Sequence, residues 1–147
     1  MEKFELGFGQ HLMLDGYGCP HENLTDLDRI YEFLNQCPDL IHMTKIMPPY
    51  AFKYSGKVPE DWGLSGFVLI AESHISIHTF PEKQYLSIDM FSCKPFDTDM
   101  AVETIKMYFK VQKFDIKVLD RGQEFPNTIK ESAQVVRMDR MLKQRSR

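Results

Sequence analysis

Residues 65–82 read Ser-Gly-Phe-Val-Leu-Ile-Ala-Glu-Ser-His-Ile-Ser-Ile-His-Thr-Phe-Pro-Glu. The first half is mostly apolar, and positions 73–79 then alternate polar and apolar side chains. Because successive side chains of a strand point to opposite faces, this alternation places His74, Ser76 and His78 on one face. The stretch therefore predicts two consecutive strands, over residues 63–71 and 73–79, that meet at a short polar step.

The rest of the chain predicts further strands and two helices. Asn23 is the expected N-cap of the first helix, Pro38 its expected end, and residues 50–62 read as a loop. Short connections between the central strands favour antiparallel neighbours. The expected fold is an α+β two-layer sandwich, a mainly antiparallel sheet with helices on one face. The additional strands are expected at residues 8–14, 40–47, 84–91 and 114–119, and the helices at 23–36 and 97–110.

Composition predicts one globular domain. The chain has 147 residues, of which 43% are hydrophobic and 27% charged, with a net charge of −3. This size suits a single domain, expected at residues 1–125, followed by a basic tail at 126–147 in which Val135, Met138 and Leu142 permit a short amphipathic helix. No apolar run is long enough to cross a membrane, and the charge gives no reason to expect nucleic acid.

The N-terminus and the cysteines indicate a cytoplasmic protein. The first five residues, Met-Glu-Lys-Phe-Glu, lack the basic and then apolar layout of a signal peptide. Three cysteines without CxxC spacing make neither a disulfide framework nor a zinc site. His74 and His78 are four residues apart, which on a strand separates them by about 13 Å. No metal site is therefore expected.

Ser73 follows Glu72 directly, so its hydroxyl can reach the carbonyl of the preceding peptide through a five-membered ring. Attack there would convert the amide to an ester. The alternative is that Ser73 is a turn residue whose hydroxyl bonds its own backbone, as serine often does. From the spacing alone, the turn interpretation is favoured.

The segment Ala-Glu-Ser-His-Ile-Ser-Ile-His-Thr-Phe-Pro-Glu, residues 71–82, resembles the self-cleavage segment of the prokaryotic S-adenosylmethionine decarboxylases. The likeness extends from residues 9–12, Gly-Gln-His-Leu, to about Gln123 and is dense only between Ser65 and Cys93. Members of this family are pyruvoyl enzymes, made as proenzymes that cut their own chain before the serine.

The resemblance implies roles for five residues. Cleavage falls between Glu72 and Ser73, and Ser73 becomes the pyruvoyl group, the covalent cofactor that accepts electrons from the substrate when CO₂ departs. His78 transfers protons during processing, and Ser65 hydrogen-bonds the reacting carbonyl. Cys93 donates the proton to the product carbon. Its alternative is an inert small hydrophobe, the interpretation adopted for Cys19 and Cys37.

The resemblance also implies a substrate site. Phe80 matches the aromatic that stacks on adenine, and Glu82 matches the glutamate that contacts the ribose. The second aromatic lies before Ser65 in the family, where this chain carries an insertion, so Tyr50 and Phe52 are both candidates. That departure leaves substrate identity open.

The implied assembly is a homodimer of processed α/β protomers with active sites near the subunit interface. The expected reaction is decarboxylation of the small molecule S-adenosylmethionine for spermidine synthesis. One alternative is a pyruvoyl-dependent arginine or ornithine decarboxylase of the same family. Another is a non-processing regulatory homologue, against which the presence of Ser73, His78 and Cys93 together speaks.

Overall fold

The computed structural model of the protein describes residues 9–122 and, further along, residues 133, 134, 137, 138 and 140–142. The elements in chain order are β1 (Gly9–Tyr17), α1 (His21–Leu24), α2 (Leu27–Leu40), β2 (Thr44–Lys45), β3 (Tyr50–Ser55), β4 (Trp62–Ala71), β5 (Ser73–Phe80), a 3₁₀ turn (Pro81–Lys83), β6 (Tyr85–Ser92), α3 (Thr98–Phe109) and β7 (Lys113–Arg121).

The strands form one antiparallel sheet. Its order is β2-β4-β5-β6-β1-β7, and β3 also pairs with β4. The two central strands β4 and β5 pair directly, with Ser65 opposite His78 and Ile70 opposite Ser73. The predicted α+β sandwich with a mainly antiparallel sheet is therefore confirmed.

The core lies between the sheet and the helices. Alternate side chains of the strands point into it, and α2 packs on α3, with the rings of Phe33 and Phe109 5.2 Å apart. Burying one large apolar side chain stabilises the folded state by about 1.5–3 kcal/mol relative to leaving that side chain exposed. The apolar layer therefore holds the fold together. The fully buried strand residues include Leu12, Leu14, Val68, Ile70, Ile75, Ile77, Leu86, Ile88 and Met90.

The first predicted helix begins and ends elsewhere. Residues 21–24 form the short α1, and α2 begins after Asp26, whose side chain accepts a hydrogen bond from the Arg29 N–H at 3.2 Å. Asn23, the predicted cap, is instead buried within α1. Pro38 lies inside the last turn of α2 rather than ending it. It is buried against the core, and its carbonyl accepts the Met43 N–H at 2.7 Å, which turns the chain out of the helix.

The predicted loop at residues 50–62 was wrong. Tyr50–Ser55 is the strand β3, which pairs with β4 along its whole length, and only residues 56–61 form the turn. Three alternating aromatics lie along β3, a composition that favours strands. The loop-like composition of this segment is concentrated in the turn of the hairpin, Gly-Lys-Val-Pro-Glu-Asp at residues 56–61.

Two other strand boundaries differ. β1 continues through Tyr17, beyond the predicted end of this strand at residue 14, because β6 and β7 pair with it on both sides. In the predicted strand at 40–47, only Thr44–Lys45 pairs, with Ile70 and Ala71 of β4. The last helix α3 was predicted correctly, and Asp97 caps it by accepting from the Met100 N–H at 3.0 Å.

The basic tail falls largely outside the described residues. Its described positions are helical, and Met138 and Leu142 are exposed, in agreement with the predicted short helix. Val135, the third residue of that prediction, is not among them. No helix in the described part of the chain is long and apolar enough to cross a membrane.

Candidate active site

The sheet face away from the helices carries a mixture of polar and aromatic side chains. Antiparallel sheets commonly leave one face uncovered, and here that face, the open face, is covered by no described helix. The register places side chains from four strands in neighbouring rows on it. These are Ser65, Phe67 and Leu69 of β4, His74, Ser76 and His78 of β5, Ser87, Asp89 and Phe91 of β6, and His11, Met13 and Asp15 of β1.

Ser65 and His78 form one cluster on the open face. They are direct cross-strand partners, and the Ser65 Oγ lies 2.8 Å from the His78 Nδ1. The His78 ring is exposed. A hydroxyl hydrogen-bonded to an imidazole is a pair that can pass a proton to or from a third group.

A cavity of about 330 Å³ opens beside this pair. The β3–β4 hairpin contributes Phe52, Tyr54 and Trp62 to its lining, and the end of β5 contributes Phe80. Most of the exposed lining is apolar, as is usual for small-molecule sites. The residues that line it are Phe52, Tyr54, Asp61, Trp62, Gly63, Ser65, His78, Thr79 and Phe80.

A second cluster surrounds the β4–β5 junction. Ser73 is half-buried and has a φ of 134°, a conformation that residues with a side chain seldom adopt. Its Oγ lies 3.3 Å from the His74 Nδ1. The carbonyl of Glu72, the group that precedes Ser73, accepts a hydrogen bond from the Cys93 N–H at 3.3 Å.

Cys93 directly follows β6, and its thiol is half-buried. Burial raises the pKa of the Cys93 thiol, and the charge of Glu72 and a hydrogen bond with its side chain raise it further. The thiol is therefore protonated at neutral pH and available as a proton donor. The pKa of the two buried core thiols is raised by burial alone, to about 11 for Cys19 and about 12 for Cys37.

Within one chain the two clusters are separate. Ser73 and His78 lie five positions apart along β5, which at ~3.3 Å per residue is roughly 16 Å. The structure thus brings Ser65 to His78 and Cys93 to Glu72 and Ser73. It does not bring His78 to Ser73 within a chain.

The two predicted substrate residues lie near the cavity. Phe80 lines it, with its ring 5.3 Å from the ring of Tyr85 and tilted by 31°. Glu82 is exposed in the 3₁₀ turn, where its Oε1 accepts from the Trp62 Nε1–H at 3.1 Å and lies 3.4 Å from the His21 Nε2. Of the two candidates for the second aromatic, Phe52 lines the cavity opposite Ser65, whereas Tyr50 lies opposite Phe67.

Four residues near the site were missed by sequence reasoning. Tyr54 and Trp62 line the cavity from the hairpin, His21 reaches Glu82 from α1, and His74 contacts Ser73. The alternation of Tyr50, Phe52 and Tyr54 could have identified β3. No sequence signal connects His21 to Glu82, which lie 61 positions apart. Among the described residues, no group of three His, Cys, Asp or Glu side chains is placed to hold a metal ion.

Comparison with known proteins identifies the family of the chain. Residues 10–122 match the sequence profile of S-adenosylmethionine decarboxylase, which is more than half of the chain. The chain belongs to the S-adenosylmethionine decarboxylase family. The matched region contains every residue of the two clusters and both substrate candidates, whereas the basic tail lies beyond it.

Individual members of the family align over most of the chain. An S-adenosylmethionine decarboxylase proenzyme of Pyrococcus abyssi is 35% identical over 117 residues, which is 79% of this chain and 80% of the relative. A proenzyme of the same description from Clostridium botulinum strain Langeland is 36% identical over 116 residues, 78% of this chain and 95% of the relative.

A solved structure of the family has a similar fold. The crystal structure of the adenosylmethionine decarboxylase from Aquifex aeolicus superposes with a TM-score of 0.66 at 30% identity. The superposition covers 80% of this chain and 92% of that one.

Proposed function

We propose that this protein is the proenzyme of a pyruvoyl-dependent S-adenosylmethionine decarboxylase, which cuts its own chain between Glu72 and Ser73. Its product, decarboxylated S-adenosylmethionine, would supply aminopropyl groups for spermidine synthesis. The observation that carries the proposal is the hydrogen bond from the Cys93 N–H to the Glu72 carbonyl, beside a serine with an unusual backbone conformation. Family membership supplies the reaction type.

Processing requires Ser73 to attack the preceding carbonyl. The Ser73 Oγ bonds to the carbonyl carbon of Glu72 while the C–N bond breaks, giving an ester. Elimination removes the Ser73 α-proton, frees Glu72 as a carboxylate and leaves dehydroalanine. Addition of water and loss of ammonia then yield the pyruvoyl group. The negative charge that develops on the Glu72 oxygen would be stabilised by the Cys93 N–H, in the manner of an oxyanion hole.

The backbone at Ser73 supports the same step. A residue with a side chain held at positive φ costs about 1–3 kcal/mol, and such outliers cluster at functional sites. At Ser73, where φ is 134°, the flanking strands β4 and β5 hold the conformation in place. Part of that cost is released when the chain is cut, which favours cleavage over an intact peptide.

The surroundings of Ser73 fit a pyruvoyl group. When present, the group serves as the electron sink that decarboxylation requires. Ser73, its source, begins β5 opposite Ser92, the residue before Cys93, whose thiol is half-buried. With its raised pKa, that thiol holds a proton at neutral pH, and we assign to it the protonation of the product carbon.

The cavity suits a flat aromatic ligand. Phe52 and Phe80 both line it, and Trp62 and Tyr54 extend the aromatic surface. A purine gains on the order of 1 kcal/mol from each such ring beyond simple burial. An arginine or ornithine side chain would call for carboxylate partners, and among the described lining residues the single carboxylate is Asp61. We therefore assign the adenine of S-adenosylmethionine to this cavity, with Phe52 as the second aromatic.

The separation of the two clusters supports a homodimer whose protomers meet through their open faces. That face carries apolar side chains such as Phe67 and Phe91, and Leu69 is 38% exposed. Within one chain the Ser65–His78 pair lies about 16 Å from Ser73, too far for proton transfer. A second copy packed on the open face would place its own pair near Ser73. Each processing site would then contain residues of both protomers.

Co-expression of two defective chains tests this arrangement. We expect the Ser73→Ala protein, expressed alone, to stay intact. The His78→Ala protein, expressed alone, should cleave about 10²–10⁴-fold more slowly than the parent, the usual contribution of one proton-transfer group. In the mixed dimer, the His78→Ala chain keeps its Ser73 and receives His78 from its partner. It should therefore be cleaved, which mass spectrometry of doubly tagged and purified dimers will show.

The matched control pairs the His78→Ala chain with a chain that carries both substitutions. This dimer contains no His78 and should remain uncleaved. If the His78→Ala chain stays intact in both mixed dimers, the sites do not combine residues of two protomers, and the proposed assembly is wrong.

A change at Phe80 should affect substrate binding and leave processing intact. Phe80→Ala removes a stacking surface and apolar contact area, together worth about 1–3 kcal/mol, so KM for S-adenosylmethionine should rise about 5- to 100-fold. Mass spectrometry should still show two chains, because the ring takes no part in proton transfer. Tyr50→Ala, in the neighbouring row and outside the cavity lining, is the control and should change KM little. An unchanged KM for Phe80→Ala would remove Phe80 from the site.

The decisive test of function is CO₂ release by purified wild-type protein from S-adenosylmethionine, arginine and ornithine in separate reactions. Release from S-adenosylmethionine alone is expected. Release from an amino acid alone would overturn the substrate assignment and leave the pyruvoyl chemistry in place. The three free cysteines agree with a reducing compartment, and we place the reaction in the cytoplasm.

A further inference from the structure

Glu82 belongs to a small cluster built by three separate elements. Its Oε1 accepts a hydrogen bond from the Nε1–H of Trp62, at the start of β4, and the Nε2 of His21 in α1 lies 3.4 Å from the same oxygen. The His21 and Trp62 rings meet edge to face, with centroids 6.4 Å apart. All three groups contact one another, although they come from distant parts of the sequence.

The indole that donates to Glu82 is itself held in place. Trp62 pairs with Ser55 across the β3–β4 hairpin, and the Nζ of Lys53 lies 4.8 Å from the centroid of its ring. A cation is attracted to the face of an indole ring, so this contact stabilises the position of the Trp62 ring. The direction of the Nε1–H bond is therefore determined by the hairpin.

These contacts restrict a carboxylate that would otherwise rotate freely. An exposed glutamate has several accessible rotamers, and fixing one of them costs conformational entropy. Here Oε1 is engaged twice, while Oε2 accepts no hydrogen bond from any described residue. Trp62 also lines the aromatic cavity, so Glu82 is tied to a wall of the site.

We infer that Trp62 is a positioning residue for Glu82, assisted by His21, and that it orients the carboxylate so that Oε2 accepts the ribose hydroxyls of an adenosine ligand. The inference rests on the proposed function. Ordering the carboxylate before the ligand arrives lowers the cost of binding, which is the general benefit of preorganisation. The ring of Trp62 and its N–H then have separate roles, one in the cavity wall and one toward Glu82.

Trp62→Phe separates the two roles, because it keeps an aromatic ring and removes the donor. The probe is 5′-methylthioadenosine, whose binding to the purified full-length protein is measured by calorimetry and needs no turnover. We expect its Kd to rise about 3- to 10-fold, since hydrogen bonds to charged groups are among the stronger ones and this bond acts on the ligand only through Glu82. The 2′,3′-dideoxy form of the probe should bind wild type and variant equally. His21→Ala should give a smaller rise, because its contact is longer.

Two controls exclude a merely structural effect. Tyr50→Phe also removes one hydroxyl from β3, lies outside the cavity lining, has no hydrogen bond to Glu82 and should leave both Kd values unchanged. In a Glu82→Gln background, Trp62→Phe should have less effect than in the wild type. Equal losses for the hydroxylated and the dideoxy probe, or no loss for either, would overturn the inference.

The proposed function and this inference fail in different experiments. Absence of CO₂ release from S-adenosylmethionine by the wild-type protein contradicts the function, whereas the binding comparison decides the role of Trp62 in either case. If the wild type binds the two probes with the same Kd, the ribose hydroxyls are not recognised, and the inference is wrong even for an active enzyme.

Discussion

Ser73→Ala protein is expected to remain a single chain of 17.3 kDa, while the wild type separates into two. The physical reason is that an alanine side chain has no oxygen with which to attack the carbonyl of Glu72. No neighbouring group can replace it through a five-membered ring. Denaturing mass spectrometry measures the result directly. In the wild type, the two fragments together should weigh the parent chain plus one water minus one ammonia, which is the signature of a pyruvoyl end.

The control for this prediction is Ser76→Ala. Ser76 lies on the same strand, three positions further on, and its side chain points to the open face beside Phe67 and Asp89. Its loss should leave cleavage complete. Two fragments from the Ser73→Ala protein would show that another group supplies the attacking oxygen, and the assignment of Ser73 would then be abandoned.

Cys93→Ala should process and yet lose most decarboxylation. The substitution keeps the backbone N–H that binds the Glu72 carbonyl, so two chains should still form, at least in part. It removes the thiol that we assign to protonation of the product carbon. General acids of this kind contribute about 10²–10⁴-fold, and kcat should fall by that factor. A variant that processes fully and turns over at the wild-type rate would refute the role of Cys93.

The pH dependence of kcat gives an independent check on the same thiol. Burial and the nearby Glu72 raise its pKa, so the protonated, active form persists above the pH range of an ordinary thiol. kcat should therefore begin to fall only at a pH above the range in which an ordinary thiol loses its proton. This alkaline decrease in kcat should be absent from the residual activity of Cys93→Ala. Cys19→Ala, which removes a buried core thiol, is the control and should retain both the rate and the alkaline decrease.

Much of the fold could be predicted because its signals are local. The alternation over residues 73–79 assigns the faces of β5 by itself, and the structure pairs it with β4 and β6 in the expected antiparallel manner. The apolar spacing of α3 and its cap at Asp97 depend on residues within one turn of each other. Pro38 and β3 were predicted wrongly, since packing on the core and pairing with β4 overrode a local breaker and a loop-like composition.

The amino-acid sequence by itself determined which residues are candidates for self-cleavage and catalysis. Ser73 after Glu72, Ser65, His78 and Cys93 could be named from it because covalent neighbours and family motifs are properties of the chain. Only the tertiary structure decided which of these residues meet. Strand register joins Ser65 to His78 and separates that pair from Ser73, and α1 together with the hairpin brings His21 and Trp62 to Glu82. Such contacts depend on how segments that are distant in the sequence pair across the sheet. A local pattern of side chains does not determine which distant segments become neighbours.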